Sequence, residues 1–474
     1  MADNDGAGSV GDLVDSSVSL EESSVARTGW RQAGPWAYAV LVALWFFEFY
    51  APHKFLTYYT SAARPLTWLP ELMLWVCAIQ WLRWPEPKRG YPAFTRYMLM
   101  LLLGTAVAYF LGNWGVARDL LRLMYQWYLL ALVTLTFCST LERARPIFSL
   151  YLGYFLWFAL WGLVSLKTSP LGADVDPGAR VIVFWHTSFD NRDAFGPLMV
   201  AGMAYSIYYL QATRPSRTRL QSMAIFASIG LCGLGFITSF GRGAFLGFLA
   251  VAASMWLRSR RKVAVLVGVL VAIGVLAMVA PSLMSRYVET MQSITGEGTQ
   301  KGTGADRADL WGVAWREFLS SPIVGVGTEN FGVGASRVLS ADEATAGGYT
   351  RGKLWGRAVH SAPMQLLAEQ GLLGAIIAIL LIADFFRTNR RTREFANRSA
   401  EGAPDGTRPD VLVYVNGIAL GVRAAFLGYL VSSIFYELLY SQMIWDIIIL
   451  NRMLYFASGA YRAYEPSAQS PQAQ

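Results

Sequence analysis

The chain has 474 residues, of which 54% are hydrophobic, 14% aromatic and only 15% charged, and its formal net charge is +8. Soluble globular domains carry about 25% charged residues, so this composition excludes an ordinary soluble protein and indicates an integral membrane protein. The basic residues are dispersed through short loops between apolar segments, so their placement indicates membrane topology and no nucleic-acid partner is expected.

Apolar runs set the organisation of the chain, which we predict to be an all-α polytopic membrane protein. Residues 1–34 are rich in Ser, Gly and acidic residues without a long apolar core, which predicts a disordered cytoplasmic tail and no cleavable signal peptide. About twelve transmembrane helices follow, nine within 35–280 and three within 363–459. Residues 281–362, which separate the two groups of helices, are predicted to form a large external loop with amphipathic helices. Residues 460–474 are predicted to form a second cytoplasmic tail. The predicted spans are 35–52, 65–83, 95–112, 122–140, 146–165, 194–211, 220–239, 244–257, 263–280, 363–385, 413–437 and 443–459.

The distribution of Lys and Arg predicts the orientation. If the N-terminus is cytoplasmic, the loops on that side are rich in Lys and Arg, and the short loops on the other side contain visibly fewer of these residues. By the positive-inside rule both termini are then cytoplasmic, and the large loop between helices 9 and 10 is external. All three histidines, His53, His186 and His360, fall on the external side.

The end of the large loop is the place where chemistry is expected. His360 lies where the polar stretch re-enters the bilayer, and three arginines face the same compartment, namely Arg180, Arg192 and Arg242. Guanidinium groups fork onto phosphate oxygens, and histidine is a suitable general base for a hydroxyl. Together they outline a glycosyl transfer from a polyprenyl pyrophosphate, in which guanidinium groups hold the charge of the leaving pyrophosphate.

Three motifs follow one another in the second half of the chain and carry a family resemblance. They are Ser239-Phe240-Gly241-Arg242-Gly243-Ala244-Phe245, then Asp309-Leu310-Trp311 through Pro322-Ile323-Val324-Gly325-Val326-Gly327, then His360-Ser361-Ala362-Pro363 through Glu369-Gln370-Gly371-Leu372-Leu373-Gly374. In this order they resemble the O-antigen ligase and polymerase superfamily, over residues 180–385. The resemblance implies an inverting, metal-independent glycosyltransferase of the GT-C type, in the bacterial cytoplasmic membrane with its active site facing the periplasm.

The resemblance also implies roles for individual residues. His360 would be the base or would orient the acceptor, Arg242 would clamp the pyrophosphate, and Arg286, just past the ninth span, would be a second cationic partner. Arg180 is a further pyrophosphate-binding candidate, placed by its loop alone. The implied donor is an undecaprenyl-pyrophosphate-linked glycan and the acceptor a glycan or lipid A core sugar; neither a cofactor nor a metal site is implied.

Alternatives stay open at this stage. His360 or Ser361 could merely cap the helix that begins near Pro363, and Arg242 or Arg286 could simply anchor to lipid headgroups. A polymerase would join lipid-linked repeat units with the same motifs, and a flippase of lipid-linked sugars is a rival from another class. The glycine-rich run 325–332 lacks the spacing and flanking elements of a nucleotide-binding loop, so a tight turn is expected there.

Charged residues within the last two predicted spans need partners in the bundle interior. A structural ion pair is the favoured reading of these residues over a proton path. They are Arg423, Glu437, Asp446 and Arg452.

Overall fold

The computed structural model describes eleven stretches of the chain, and all regular structure in them is helical. The stretches are 34–52, 67–83, 92–111, 114–168, 192–239, 241–259, 262–279, 303–340, 359–401, 409–436 and 441–464. The first nine helices are α1 Pro35–Tyr50, α2 Leu69–Leu82, α3 Pro92–Leu111, α4 Trp114–Phe137, α5 Leu141–Thr168, α6 Arg192–Ala212, α7 Arg219–Ser239, α8 Arg242–Arg258 and α9 Lys262–Val279. The others are α10 Thr303–Ser320, α11 Phe331–Val338, α12 Ala362–Glu401, α13 Pro409–Ser432, a 3₁₀ turn Ser433–Phe435, α14 Gln442–Ala457 and α15 Ala460–Tyr464.

Each of the twelve segments predicted to be a span overlaps one helix, namely α1–α9 and α12–α14. The prediction of an all-α architecture is therefore confirmed for the described residues, whereas the number of membrane crossings stays a prediction. Four helical stretches are long and apolar enough to cross a membrane, Leu120–Phe137, Arg219–Ser239, Ala362–Arg398 and Asp410–Phe435. Shorter apolar helices cover Pro35–Tyr50, Leu69–Leu82, Arg96–Ala106 and Gly243–Arg258.

Large apolar side chains lie on the outside of several helices. Leu220, Met223 and Phe226 are exposed on α7, and Leu270 and Val271 are exposed on α9. A soluble monomer rarely presents such continuous apolar surface, because water does not solvate it favourably. These faces match a hydrocarbon surrounding and agree with the composition of the chain.

Small residues let the central helices approach closely. A Cβ atom added at Gly247 of α8 would lie 2.5 Å from the carbonyl oxygen of Gly428 on α13, and one at Gly417 would lie 2.5 Å from Ala212 Cβ on α6. Close backbone contact of this kind replaces the hydrophobic effect as the source of helix association in lipid. The contacts Gly243–Ser432 and Gly247–Gly428 also show that α8 and α13 run antiparallel.

Helix α12 is longer than the sequence predicts. The predicted span stops at 385, where the apolar residues end, but the helix continues to Glu401. Hydropathy marks only the apolar part, whereas Arg, Glu and Ala are good helix formers and extend the helix beyond it. The i,i+4 ion pair between Arg390 and Glu394, at 3.3 Å, adds to this extension.

The bundle interior contains an ion pair, but not between the residues expected to provide it. Arg452 of α14 is buried and binds Asp384 of α12 at 2.9 Å, rather than a partner within the last two spans. Asp446 is also buried, as expected, whereas Glu437 lies outside the described residues. The predicted tails, apart from residues 34 and 460–464, lie outside them as well.

Asp384→Asn should destabilise the bundle because it leaves Arg452 without its carboxylate in a place that water reaches poorly. We expect the free energy of unfolding to fall by about 3 kcal/mol, within the usual cost of breaking a buried pair. The matched control is Arg390→Gln, which breaks an exposed pair and should cost less than about 1 kcal/mol. Thermal unfolding in detergent measures both variants, and equal losses would contradict a stabilising role for the buried pair.

Candidate functional site

His360 lies immediately before α12 and has an unusual backbone conformation. Its φ is +53°, in the left-handed region of backbone conformation that residues other than glycine, asparagine and aspartate seldom adopt. The imidazole is half-buried and faces the ring of Tyr436, with 5.8 Å between ring centroids. Strained conformations of this kind persist only where the surrounding structure enforces them, which makes the position a candidate functional site.

Helix α10 and the start of α12 hold the segment that carries His360. Trp311 of α10 donates its indole N–H to the carbonyl oxygen of Val359 at 3.2 Å, and Val359 is fully buried. On the other side, the Gln365 N–H donates to the Ser361 carbonyl at 2.9 Å. The Met364 N–H lies 3.5 Å from Ser361 Oγ, a side-chain capping contact. Ser361 thus provides a cap at the start of α12, one of the two alternatives that the sequence left open.

The first turn of α8, which begins at Arg242, lies at the same end of the bundle as His360. A Cβ atom added at Gly243 would lie 3.2 Å from the Ser432 carbonyl oxygen and 3.5 Å from Phe435 Cβ. The next residue, Tyr436, contacts the His360 ring. The backbone at Arg242 and the His360 imidazole thus lie next to the same short segment, 432–436. The side chain of Arg242 lies outside the described part of the chain.

The side chains of the other predicted site residues lie outside the described part of the structure. Arg180 and Arg286 lie outside the described residues, as do His53 and His186. Arg192 begins α6, but its side chain is not among those described. The roles of Arg180, Arg242 and Arg286 therefore remain predictions.

Helix α12 is broken at Gly371, and a segment of the preceding loop fills the break. We call residues 322–327 the strap. Its backbone donates from Val326 N to Ala368 O and from Gly327 N to Glu369 O, each at 2.9 Å. In return, Leu372 N donates to Pro322 O at 2.8 Å and Leu373 N to Ile323 O at 3.1 Å. The strap therefore satisfies main-chain groups that the break would leave without partners.

Two glycines make this contact possible. Gly371 has a φ of +62° and Gly325 a φ of +69°. A Cβ atom at Gly325 would lie 2.3 Å from the Glu369 carbonyl carbon, and one at Gly371 would lie 2.5 Å from the Ile323 carbonyl oxygen. The glycine-rich run is thus a tight turn, as the sequence predicts, but the turn is inserted into a helix.

Polar side chains that the sequence left without a role are buried beneath the strap. Glu317 of α10 is fully buried, as are Gln365 and Glu369 on the first turns of α12. Gln370 Nε2 donates to Thr328 Oγ1 at 3.3 Å, and Gln365 Nε2 lies 3.5 Å from Glu369 Oε1. Burial raises the pKa of Glu317 to about 9, and the nearby charge of Glu369 adds to the rise. Glu317 is therefore protonated at neutral pH.

A signal for this polar group was present in the sequence. Gln365, Glu369 and Gln370 stand in an otherwise apolar helix start, where polar side chains must face the protein interior. Glu317 gave no such signal, because it belongs to an amphipathic helix on which Asp309, Arg316 and Ser320 are exposed. Among the described residues, no three His, Cys, Asp or Glu side chains group together in the manner of a metal site.

Comparison with known proteins gives one family match. Residues 226–379, about a third of the chain, match the family model described as O-Antigen ligase. The matched region contains His360, Arg242 and Arg286 and excludes Arg180. The match confirms the family resemblance seen in the three sequence motifs. No curated protein matches the chain.

Gly325→Ala should weaken the strap, because the new methyl group would clash with the backbone of α12 and alanine disfavours a positive φ. We expect a loss of at least about 2 kcal/mol in the free energy of unfolding. Gly312→Ala is the control, since Gly312 lies within α10 and a Cβ there meets no atom within 4 Å. That change should be neutral or slightly stabilising. Detergent thermal unfolding compares the two, and a stable Gly325→Ala protein would refute the proposed strap geometry.

The raised pKa of Glu317 should make the stability of the protein depend on pH. Its folded pKa of about 9 exceeds the unfolded value of 4.5, so the folded state binds the proton more tightly. The stability contributed by the protonated form is complete below the unfolded pKa and is lost as the pH rises through the interval up to the folded pKa. Glu317→Gln should therefore reduce the fall in thermal midpoint between about pH 5 and about pH 8. Asp309→Asn, on the same helix and exposed, should keep the wild-type slope; a wild-type slope in Glu317→Gln would exclude this assignment.

Proposed function

We propose that the protein is a membrane glycosyltransferase of the O-antigen ligase type. It transfers a glycan from an undecaprenyl-pyrophosphate donor to an acceptor hydroxyl at the outer face of the bacterial cytoplasmic membrane. The observation that carries the proposal is the match of residues 226–379 to the O-Antigen ligase family, because this region contains both His360 and Arg242. The backbone at Arg242 and the His360 imidazole lie beside the same segment, 432–436, which supports a joint role.

His360 is the proposed base of the reaction. A neutral imidazole nitrogen accepts the proton of the acceptor hydroxyl as the oxygen attacks the anomeric carbon of the donor sugar. The new carbon–oxygen bond forms on the face opposite the pyrophosphate, whose bond to the sugar breaks with its electron pair. A single displacement of this kind inverts the anomeric configuration. The left-handed backbone at His360 and the anchored Val359 carbonyl, which hold the main chain that carries the imidazole, support this role.

Arginine side chains are the proposed stabilisers of the leaving group. The departing pyrophosphate gains negative charge, and guanidinium groups that already point toward it lower the energy of the transition state without reorganisation. Arg242 is the first candidate because its helix begins beside the segment that contacts His360. Arg286 and Arg180 are further proposed partners, in this order, because only Arg286 lies inside the region of family similarity.

Removing the imidazole while keeping the backbone should abolish transfer selectively. His360→Asn is the sharpest change, since asparagine tolerates a positive φ and leaves a small polar side chain. We expect turnover to fall by about 10²–10⁴-fold, with an unchanged thermal midpoint. In Arg242→Ala we expect turnover to fall by about 10²-fold or more. Arg242→Lys should recover only part of this turnover, because an ammonium lacks the bidentate fork. The assay is formation of a covalent glycan product from purified protein in nanodiscs.

Arg398→Gln is the matched control, because Arg398 is exposed at the predicted cytoplasmic end of α12. It should leave turnover unchanged. Full activity of His360→Asn would remove the base assignment, and a large loss in Arg398→Gln would show that the proposed orientation is reversed.

The same assay separates the candidate reactions. Products on a lipid A core acceptor indicate a ligase, products on a second lipid-linked repeat unit indicate a polymerase, and products on a protein indicate an oligosaccharyltransferase. Movement of the lipid-linked glycan across the bilayer without a new bond would replace the enzyme with a flippase. We favour the ligase because the matching family model bears that description.

A further inference from the structure

Three arginines on three neighbouring helices lie on the side of the bundle away from His360. They are Arg258 at the last residue of α8, Arg393 on the extension of α12, and Arg423 on α13. Contacts between the helices bring these residues to one region. Arg393 Nε donates to Asn416 Oδ1 of α13, and a Cβ atom added at Gly421, two residues before Arg423, would lie 3.2 Å from Tyr208 Cβ of α6. Tyr208 of α6 interacts with all three and hydrogen bonds to Arg258. Like charges that converge in this way repel, and the effect grows when water is partly excluded.

Within the described residues, the side chains of Arg258 and Arg393 hydrogen bond to neutral groups. Arg258 Nη1 donates to Ser254 Oγ at 2.9 Å, and Arg393 Nε donates to Asn416 Oδ1 at 3.3 Å. The guanidinium of Arg423 lies 5.6 Å from the centroid of the Phe386 ring. Its Nε atom is buried and has no hydrogen-bond partner among the described residues. None of these contacts supplies a negative charge.

Nearby carboxylates do not neutralise the group. Glu394 interacts with Arg393, but it forms its ion pair with Arg390. Asp384 binds Arg452. Within the described part of the chain, three positive charges therefore meet with only one carboxylate beside them, and that carboxylate is already paired with Arg390. Arg258 is exposed, but Arg393 and Arg423 are half-buried, and a guanidinium partly withdrawn from water without a counter-charge is costly, which points to an anion from outside the chain.

We propose that Arg258, Arg393 and Arg423 form an anion site whose ligand carries a phosphate group. Planar guanidinium forks from three directions match the oxygens of a phosphate better than those of a single carboxylate. Helix α8 has 17 residues, so its last residue lies about 24 Å along the axis from Arg242. The site is therefore separate from the proposed centre for glycan transfer. It lies at the predicted cytoplasmic end, where anionic phospholipid headgroups and soluble phosphates are both present.

The test uses the purified full-length protein in detergent, titrated with phosphatidylglycerol, phosphatidylcholine or inorganic phosphate. Thermal unfolding and native mass spectrometry report binding. Phosphatidylglycerol should raise the thermal midpoint and remain bound, while phosphatidylcholine should not. Arg423→Gln and Arg393→Gln should each weaken this binding about fivefold, as expected when one basic contact to an anionic headgroup is lost. Arg387→Gln is the control, because Arg387 is exposed and lies on α12, the helix that also carries Arg393. This variant should keep wild-type binding.

A second readout separates an anion site from a purely structural cluster. Without any anion, Arg423→Gln should be as stable as the wild type or more stable, because one repelling charge is removed. If Arg423→Gln does not fold, Arg258→Gln and Arg393→Gln carry the binding test. A response to inorganic phosphate alone identifies a soluble ligand, and a response to phosphatidylglycerol identifies a lipid; either supports the site. Equal responses to both phospholipids with none to phosphate, or binding unchanged in all three variants, would overturn it.

Discussion

The break in α12 at Gly371 is the constraint on which the site architecture depends. A broken helix exposes main-chain donors and acceptors, and these groups are costly to bury unless another segment bonds to them. The strap supplies four backbone hydrogen bonds across the break, between 322–327 and 368–373. Because the strap follows directly after α10, its insertion fixes α10 against α12. Trp311 of α10 then reaches Val359 and holds the residue before His360.

The same arrangement explains why the polar side chains beneath the strap are buried. Gln370 bonds to Thr328 across the contact, and Glu317 lies against Gly334 of α11, where a Cβ would come within 2.9 Å of its carboxyl carbon. A protonated Glu317 can be buried at this place at a much lower cost than an ionised one. The loop between α9 and α12 is thus joined to the membrane helices by main-chain bonds, neutral polar groups and a small apolar cluster that includes Leu310, Phe331 and Ala368.

Hydropathy and turn chemistry were sufficient to predict the long helices, whereas the site residues remain a prediction. Apolar runs of sufficient length located the twelve helical segments, and Pro322 marked the end of α10 within two residues. The position of His360 followed from the boundary between a polar loop and an apolar segment. What could not be predicted is how distant segments meet. The strap contact depends on positive φ angles at Gly325 and Gly371, and the Arg452–Asp384 pair depends on helix rotation, neither of which a single-sequence pattern specifies.

Charge is arranged differently at the two ends of the bundle. At one end, His360 and the start of α8 adjoin the segment 432–436, and at the other three arginines converge on α8, α12 and α13. The antiparallel contact of α8 with α13 relates the two ends, because Gly243 lies beside Ser432 and Gly247 beside Gly428. In the two proposals together, Arg242 at the start of α8 and Arg258 at its end each bind a phosphate-bearing molecule, on opposite faces of the membrane.

The central claim is that Arg242 and His360 belong to one end of the bundle, and a distance measurement tests it most directly. Spin labels at Arg242→Cys and Pro363→Cys, in a protein whose buried Cys77, Cys138 and Cys232 are replaced, report the separation while leaving His360 intact. The reference pair is Arg258→Cys with Pro363→Cys. We predict that the first pair is clearly closer than the second, by an amount that can reach the ~24 Å along α8 between Arg242 and Arg258. Equal separations, or a shorter one for the reference pair, would contradict the account.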